Sequence, residues 1–152
     1  MHIVLIEPEI PGNTGNIARL CAATGAELHL VKPLGFIIDD KHLKRAGLDY
    51  WHLVKVSVHE NFAEVETLLN GKKFWFSSTK AAQFHTDVRY TADDVICFGK
   101  ETAGIDEKIL RAHPAECIRI PMINDARSLN LGNSVAVVLY EALRQTGFGG
   151  LV

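Results

Sequence analysis

Residues 11–16 (PGNTGN) combine helix-opening residues with two glycines, and Arg19 follows within the next turn. The free backbone N–H groups at a helix start and the positive end of the helix dipole suit an anion, foremost a phosphate. Arg19 lies one turn after Gly15, on the face expected to look toward the same pocket. The segment therefore indicates an anion site, and a capped helix with one surface arginine is the alternative.

Residues 98–104 (FGKETAG) form a second candidate, at the end of a predicted buried strand. Gly99 has no side chain, so a flat ligand can approach the backbone there, and Glu101 places a carboxylate at the strand end. The alternative is a tight turn in which Lys100 and Glu101 form a solvated ion pair. Taken alone, this segment does not decide between a ligand site and a turn.

Residues 120–130 (IPMINDARSLN) form the third candidate, because a strand ends at a proline and no regular period follows. The side chains of Ile120, Met122 and Leu129 could wall an adenine ring, and the backbone there could read its edge. Ser128 or Asn130 can cap the last helix. An ordinary loop with a helix cap is the alternative.

Several familiar site motifs are missing from the sequence. No Gly-x-Gly-x-x-Gly follows a strand, and Gly99-Lys100 lacks the preceding glycine of a phosphate-binding P-loop. The seven histidines never fall at metal-ligand spacing, and neither Gly-x-Ser-x-Gly nor Cys-x-x-Cys occurs. We therefore predict no metal, and a nucleophilic mechanism would have to use residues without a sequence signature.

Short apolar runs alternate with segments of helical period along the chain. Strands are predicted at residues 2–6, 28–31, 54–56, 74–77, 95–98 and 117–120. Helices are predicted from Asn13 or Thr14 to Thr24, at 40–46, from a capping box at Asn61 and Glu64 to about 69, at 106–112 and from near 130 to 146.

This alternation of strands and helices predicts the α/β class, with a mostly parallel sheet and helices on both faces. Ligands bind such sheets in the loops that leave the carboxyl ends of the strands. The loops in question are residues 7–16, 77–80, 99–105 and 121–130.

A length of 152 residues with 47% hydrophobic residues predicts one domain, residues 1–152, and no second module. The net charge of −2 is not typical of a nucleic-acid-binding protein.

The start of the chain lacks the features of a signal peptide, and no apolar run is long enough for a membrane, so we expect a cytoplasmic protein. The three cysteines are expected to be reduced and buried. The broad apolar stripe of the last helix predicts burial against a second subunit.

Taken together, the loops resemble the SpoU-type branch of the SPOUT methyltransferases. Residues 13–19, 98–104 and 120–130 carry the resemblance, in matching order and spacing. Residues 7–11 and 45–50 are similar to the minimal YibK/TrmL group of that branch. The likeness covers nearly the whole chain, which implies a single domain, residues 1–152, with no separate RNA-binding domain.

The resemblance implies a deep trefoil knot in the C-terminal half, a homodimer, and a tRNA 2'-O-methyltransferase that uses S-adenosylmethionine (AdoMet). The implied substrate is the ribose of the wobble nucleotide, a cytidine or a modified uridine at position 34 of leucine tRNAs. The residues implied for cofactor binding are Ser77, Thr79, Gly99, Ile120, Met122, Ser128 and Leu129. Those implied for the reaction are Asn13, Arg19, Glu101, Ser128 and Asn130.

Other functions remain open at this point. A related methyltransferase could act on another tRNA position or on rRNA, and a dimer could bind RNA without catalysis. An α/β enzyme could also use the 12–19 loop to hold a nucleotide phosphate. Basic residues that could contact RNA phosphates are Lys41, Lys44, Arg45, Lys80 and Arg127.

Overall fold

The structure is a computed structural model that describes residues 1–38 and 53–152. The helix predicted at 40–46 and the 45–50 stretch lie outside the described residues. So do Lys41, Lys44 and Arg45.

A single sheet of seven parallel strands forms the centre of the described chain. The strands are β1 (His2–Ile6), β2 (Glu27–Val31), β3 (Val56–His59), β4 (Phe74–Ser77), β5 (Gln83–Phe84), β6 (Val95–Phe98) and β7 (Cys117–Arg119). Their order across the sheet is β3-β2-β1-β6-β4-β7-β5. The predicted α/β class with a parallel sheet is confirmed, while the C-terminal knot stays a prediction.

Helices cover both faces of the sheet, as the apolar strands predicted. On one face, α1 (Pro11–Thr24) packs against α4 (Leu131–Gln145) over Ile3, Leu5 and their neighbours. On the other face, α2 (Phe62–Leu68) and α3 (Glu107–Ala112) cover alternate strand residues such as Val4. A 3-10 turn, Pro114–Glu116, leads into β7. None of the helices in the described ranges is both long and apolar enough to cross a membrane.

The first helix begins earlier than predicted. Proline stands at its first turn, Ile10 is the N-cap residue, and no side chain caps the helix. The prediction that Asn13 or Thr14 caps this helix is therefore wrong. Proline suits the first turn because its missing N–H has no helical partner there. The predicted stop at Gly25 is confirmed by its φ of 72°.

Other boundaries agree to different degrees. The strand predicted at 54–56 is wrong at both ends, because β3 spans Val56–His59 and shares only Val56 with it. The Asn61 side chain accepts the Glu64 amide at 3.1 Å, but Glu64 accepts from Glu60 instead of closing the predicted box. Asn130 caps α4 by accepting the amide of Asn133. The three cysteines are free and buried, as predicted.

A buried carboxylate ties β4 to the turn before β6. Asp94 is 1% exposed and accepts hydrogen bonds from Trp75 Nε1 at 2.8 Å and from the Thr91 amide at 3.1 Å. The Asp94 backbone oxygen also accepts the His2 amide at the start of β1. This one residue therefore connects three strands.

Replacement of this carboxylate is expected to destabilise the protein. Asp94→Ala leaves the buried Trp75 N–H without an acceptor, so the free energy of unfolding should fall by about 2–4 kcal/mol in urea denaturation. Asp93→Ala is the matched control. It removes the neighbouring exposed carboxylate, which pairs with Lys72, and should change the free energy of unfolding far less. Equal losses in the two variants would refute this role for Asp94.

Candidate active site

A pocket of about 570 Å³ opens at the carboxyl edge of the sheet. All four of the loops predicted to carry chemistry contribute to its wall. They supply Ile10 and Asn13 from the first loop, residues 77–80 from the second, residues 99–105 from the third, and residues 127–130 from the fourth. The prediction that these loops converge is confirmed.

Three side chains from three different loops form a hydrogen-bonded chain beside this pocket. Asn13 Nδ2 donates to Glu101 Oε1 at 3.0 Å, and Asn130 Nδ2 donates to Asn13 Oδ1 at 2.9 Å. The Asn130 oxygen then accepts the amide of Asn133 at 3.3 Å. These hydrogen bonds between side chains therefore link the end of β6 to the starts of α1 and α4.

The carboxylate sets the orientation of both amide groups. An ionised carboxylate only accepts hydrogen bonds, so Asn13 must present its NH₂ group to Glu101. The oxygen of Asn13 then faces Asn130, which must in turn donate its own NH₂ group. Because each group fixes the next, the polar atoms are held in one arrangement before any substrate binds.

The same carboxylate also accepts two backbone N–H groups. The amide of Glu9 donates to Oε2 of Glu101 at 2.8 Å, and the amide of Ile10 donates to Oε1 at 3.2 Å. These amides immediately precede α1, so the carboxylate lies near the positive end of the helix dipole. The sequence pattern indicated an anion, foremost a phosphate, at this helix start. In the structure the protein's own Glu101 carboxylate is an anion at that place.

These contacts keep Glu101 ionised. Burial alone would raise the pKa of its carboxyl group. The hydrogen bonds from the Asn13 side chain and from backbone amides, including those of Glu9 and Ile10, outweigh burial and lower its pKa. A carboxylate with a lowered pKa and three donors from neighbouring residues is a weak base. It is better suited to holding its neighbours than to taking a proton.

Two further contacts join the loop after β1 to the loop after β6. The Glu9 carboxylate accepts the amide and the hydroxyl of Thr102 at 3.0 and 2.9 Å. Lys100 Nζ lies 2.6 Å from Glu7, which raises the pKa of this lysine. The alternative of a solvated Lys100–Glu101 pair is therefore wrong. Sequence reasoning did not assign a role to Glu7 or Glu9, although both lie in the 7–11 stretch.

Gly99 is required by the turn itself. A Cβ atom built on it would lie 2.0 Å from the carbonyl carbon of Gly104 and 2.2 Å from the nitrogen of Ile105. Gly104 has a φ of 72°, and its amide donates to the Lys100 oxygen at 2.8 Å. The space beside Gly99 is thus filled by the returning chain, which by itself requires a glycine here. The approach of a flat ligand to the Gly99 backbone stays a prediction.

Most of the predicted site residues lie together. The pocket wall includes residues from both predicted sets: Asn13, Ser77, Thr79, Gly99, Glu101, Ile120, Met122, Ser128, Leu129 and Asn130. Arg19 lies on the exposed side of α1 and is not part of this wall, contrary to the expectation that it looks toward the same pocket as Gly15. Arg127 and Lys80 also line the pocket, although the sequence analysis proposed them only for contact with RNA. Lys80 forms an ion pair with Glu107.

The fold and the pocket define a class: an α/β protein whose ligand site lies where loops leave the carboxyl ends of parallel strands. The family model of the SpoU rRNA Methylase family matches residues 1–140. The chain belongs to the SpoU methylase family. It is therefore a methyltransferase, as the resemblance of its loops implied.

Individual relatives agree with this assignment. The chain is 50% identical over 153 residues to a tRNA (cytidine(34)-2'-O)-methyltransferase of Escherichia coli (strain K12), covering 100% of this chain and 98% of that protein. A solved structure described as giving insights into the 2-OH methylation of C/U34 on tRNA is 43% identical, with a TM-score of 0.89 over 95% of this chain and 94% of that one.

A third relative was solved with a cofactor. The SpoU methyltransferase AviRb from Streptomyces viridochromogenes, in complex with AdoMet, is 25% identical with a TM-score of 0.84. The match covers 95% of this chain and 57% of that one.

Proposed function

We propose that this protein is a tRNA 2'-O-methyltransferase that transfers a methyl group from AdoMet to the ribose of nucleotide 34. The accepting nucleotide is a cytidine or a modified uridine, and the substrates are leucine tRNAs. The observation that carries this proposal is the convergence of Asn13, Glu101 and Asn130 at one pocket. The names of the relatives, which act on position 34, support the choice of substrate.

The pocket suits a nucleoside cofactor. Its volume of about 570 Å³ falls within the usual range for ligand sites. Apolar residues Ile120, Met122 and Leu129 can enclose an adenine ring, while Ser77, Thr79, Gly99 and Ser128 offer polar groups. The AdoMet complex of a family member supports the same cofactor for this chain.

Bound AdoMet supplies a methyl group on a sulfonium, which is already a good leaving group. The residues of the chain therefore have to align the ribose oxygen with the methyl group and the sulfur. Such alignment can contribute roughly 7–11 kcal/mol in favourable cases. The three hydrogen-bonded side chains, Glu101, Asn13 and Asn130, are already ordered. They can therefore hold the ribose with little loss of side-chain freedom.

The ribose hydroxyl must also lose its proton as the oxygen–methyl bond forms and the methyl–sulfur bond breaks. A guanidinium has only N–H donors and no acceptor, so Arg19 is not the base. We assign to Arg19 the binding of an RNA phosphate near the hydroxyl. That phosphate or a water then accepts the proton.

The role of Arg19 leads to a prediction about two substitutions. Arg19→Lys keeps the positive charge but loses the planar fork that binds a phosphate through two hydrogen bonds. We expect both Arg19→Lys and Arg19→Ala to lower kcat/KM by roughly 100-fold, measured by methyl transfer to tRNA. Retention of most activity in the lysine variant would contradict phosphate binding by the fork.

A homodimer and a cytoplasmic location belong to the same proposal. The helix α4 exposes two large apolar side chains, Val137 at 40% and Tyr140 at 47%, while its other face is buried in the domain. A second copy packed there would cover them. Further RNA contacts are proposed for Lys80 and Arg127, together with Lys41, Lys44 and Arg45.

One experiment tests the proposed function against its alternatives. Purified protein is incubated with labelled AdoMet and bulk tRNA, and the methylated nucleotide is mapped. Methylation of the ribose at position 34 of leucine tRNAs is the expected result. Label at another tRNA position, or only in rRNA, would change the substrate. Binding of tRNA without any label would indicate a non-catalytic RNA-binding dimer. A thermal shift with nucleotides but none with S-adenosylhomocysteine would indicate a nucleotide-binding enzyme.

A further inference from the structure

Three histidines form a buried row across the first three strands, away from the pocket. His2, His29 and His59 are 7%, 2% and 8% exposed. Nδ1 of His2 lies 3.1 Å from Nε2 of His29, and Nδ1 of His29 lies 3.1 Å from Nε2 of His59. The methyl transfer described above uses none of these side chains.

A carboxylate completes a compact group at the start of this row. Glu27 is the register partner of His2 on β2, and its Oε2 lies 3.7 Å from Nδ1 of His2. One nitrogen each of His2 and His29 and one oxygen of Glu27 all lie within 4.8 Å of one another. The other oxygen of Glu27 accepts Lys55 Nζ at 2.8 Å, so the carboxylate is already oriented.

We propose that His2, His29 and Glu27 form a binding site for a divalent transition metal of the zinc class. Zinc–nitrogen and zinc–oxygen bonds of about 2.0–2.1 Å in a tetrahedron place ligand atoms about 3.3 Å apart. The separations of 3.1 Å between the two nitrogens and 3.7 Å between nitrogen and oxygen lie on either side of this value. These two separations are within a few tenths of an ångström of the tetrahedral value, and the third, between His29 and Glu27, is at most 4.8 Å, so the flexible Glu27 side chain would complete the geometry. A water molecule would be the fourth ligand, on the side where Glu27 meets solvent.

The surroundings of both rings fit ligation. A metal-bound histidine normally donates its second ring N–H to a neighbouring acceptor, which fixes its tautomer. Nε2 of His2 lies 3.5 Å from the carboxylate of Asp93, and Nδ1 of His29 faces the nitrogen of His59. Each ring can therefore keep one proton and direct its other nitrogen at the metal. Two buried imidazoles and a carboxylate are a ligand set that zinc accepts.

Sequence spacing gave no sign of this site because the ligands come from different strands. His2 is at the start of β1, and His29 pairs in register with Val4, two residues further along the same strand. Side chains two residues apart on a strand point to the same face, so the pairing of β1 with β2 brings the rings together. The site lies toward the amino ends of β1 and β2, with one coordination position open to water. It does not depend on the proposed function.

The experiment uses the full chain, freed of metal with EDTA and dialysed. Zn²⁺ is titrated by calorimetry, and Co²⁺ is added to detect the absorption of a tetrahedral complex. We expect one Zn²⁺ per chain and a rise in melting temperature. Glu27→Gln and His2→Gln should each weaken Zn²⁺ binding on the order of 100-fold and abolish the cobalt spectrum. The Glu27 variant loses a partly exposed carboxylate, so it should fold, which circular dichroism in EDTA checks.

Glu60→Gln is the matched control for the carboxylate. Glu60 accepts Lys32 Nζ at 2.6 Å much as Glu27 accepts Lys55, but it is not part of the group of three ligands. This variant should bind Zn²⁺ like the unchanged protein. Absence of stoichiometric Zn²⁺ binding would overturn the proposal, and so would binding that both the Glu27 and His2 substitutions leave unchanged.

Discussion

Glu101→Gln is expected to lower kcat for methyl transfer to tRNA by roughly 100- to 1000-fold, equivalent to about 3–4 kcal/mol of transition-state stabilisation. The carboxylate accepts from Glu9 at one oxygen and from Ile10 and Asn13 at the other. A glutamine has only one oxygen, so its NH₂ group must face an N–H donor on one side. If the NH₂ group faces Asn13, that residue loses its acceptor and its fixed orientation, and Asn130 with it. If the NH₂ group instead faces the Glu9 amide, two donors repel each other and the loop that positions Asn13 is displaced.

A comparison of kcat with KM for AdoMet distinguishes this positioning role of Glu101 from a general loss of structure. Because the cofactor pocket keeps its other walls, KM for AdoMet should change much less than kcat. Glu66→Gln is the control, since it makes the same chemical change at a carboxylate on α2, which lies on the face opposite α1. A Glu101→Gln enzyme with nearly unchanged kcat would show that the ordered chain of three side chains does not serve the reaction.

The second large effect is expected for Gly99→Ala, which should destabilise the protein by about 3–5 kcal/mol and prevent binding of S-adenosylhomocysteine. The added methyl group would overlap backbone atoms of Gly104 and Ile105 at 2.0 and 2.2 Å. Backbone atoms cannot move aside like the end of a flexible side chain. The turn over 99–105 would have to open, and this turn carries Glu101. Urea denaturation and calorimetry with S-adenosylhomocysteine measure the two effects.

Gly12→Ala is the matched control for this substitution. A Cβ atom at Gly12 would meet no atom within 4 Å, and the residue lies in the first turn of α1. Alanine favours a helix over glycine by up to about 1 kcal/mol, so this variant should keep or gain stability. If Gly99→Ala were as stable as Gly12→Ala, the close packing of the turn would be refuted.

The sequence predicted the buried strands best. The limits of β4 and β6 are the predicted ones, because each is a short apolar run with clear ends. The two-residue strand β5 was not predicted, since it is too short to show any period. The start of α1 was placed too late because Asn13 and Thr14 are typical capping residues. The Asn13 side chain instead bonds Glu101 and Asn130, which is a tertiary contact that local propensity cannot show.

The site was predictable in part. The rule that ligands bind at the carboxyl ends of parallel strands identified the four loops, and the pocket confirms that they meet. The individual contacts were not predictable, because Asn13 lies 88 residues from Glu101 and 117 residues from Asn130 in the chain. The reaction and its residues came only from the resemblance to a family. For the same reason the proximity of His2 and His29 was not predicted, because only the pairing of β1 with β2 brings these residues together.

A crystal structure of the protein with S-adenosylhomocysteine would test the central claim most directly. The claim predicts the ligand in the pocket at the carboxyl edge, with its adenine beside Ile120, Met122 and Leu129. Its sulfur should face the side where Asn13 and Glu101 lie. A well-ordered ligand bound anywhere else on the protein, or none at saturating concentration, would contradict it.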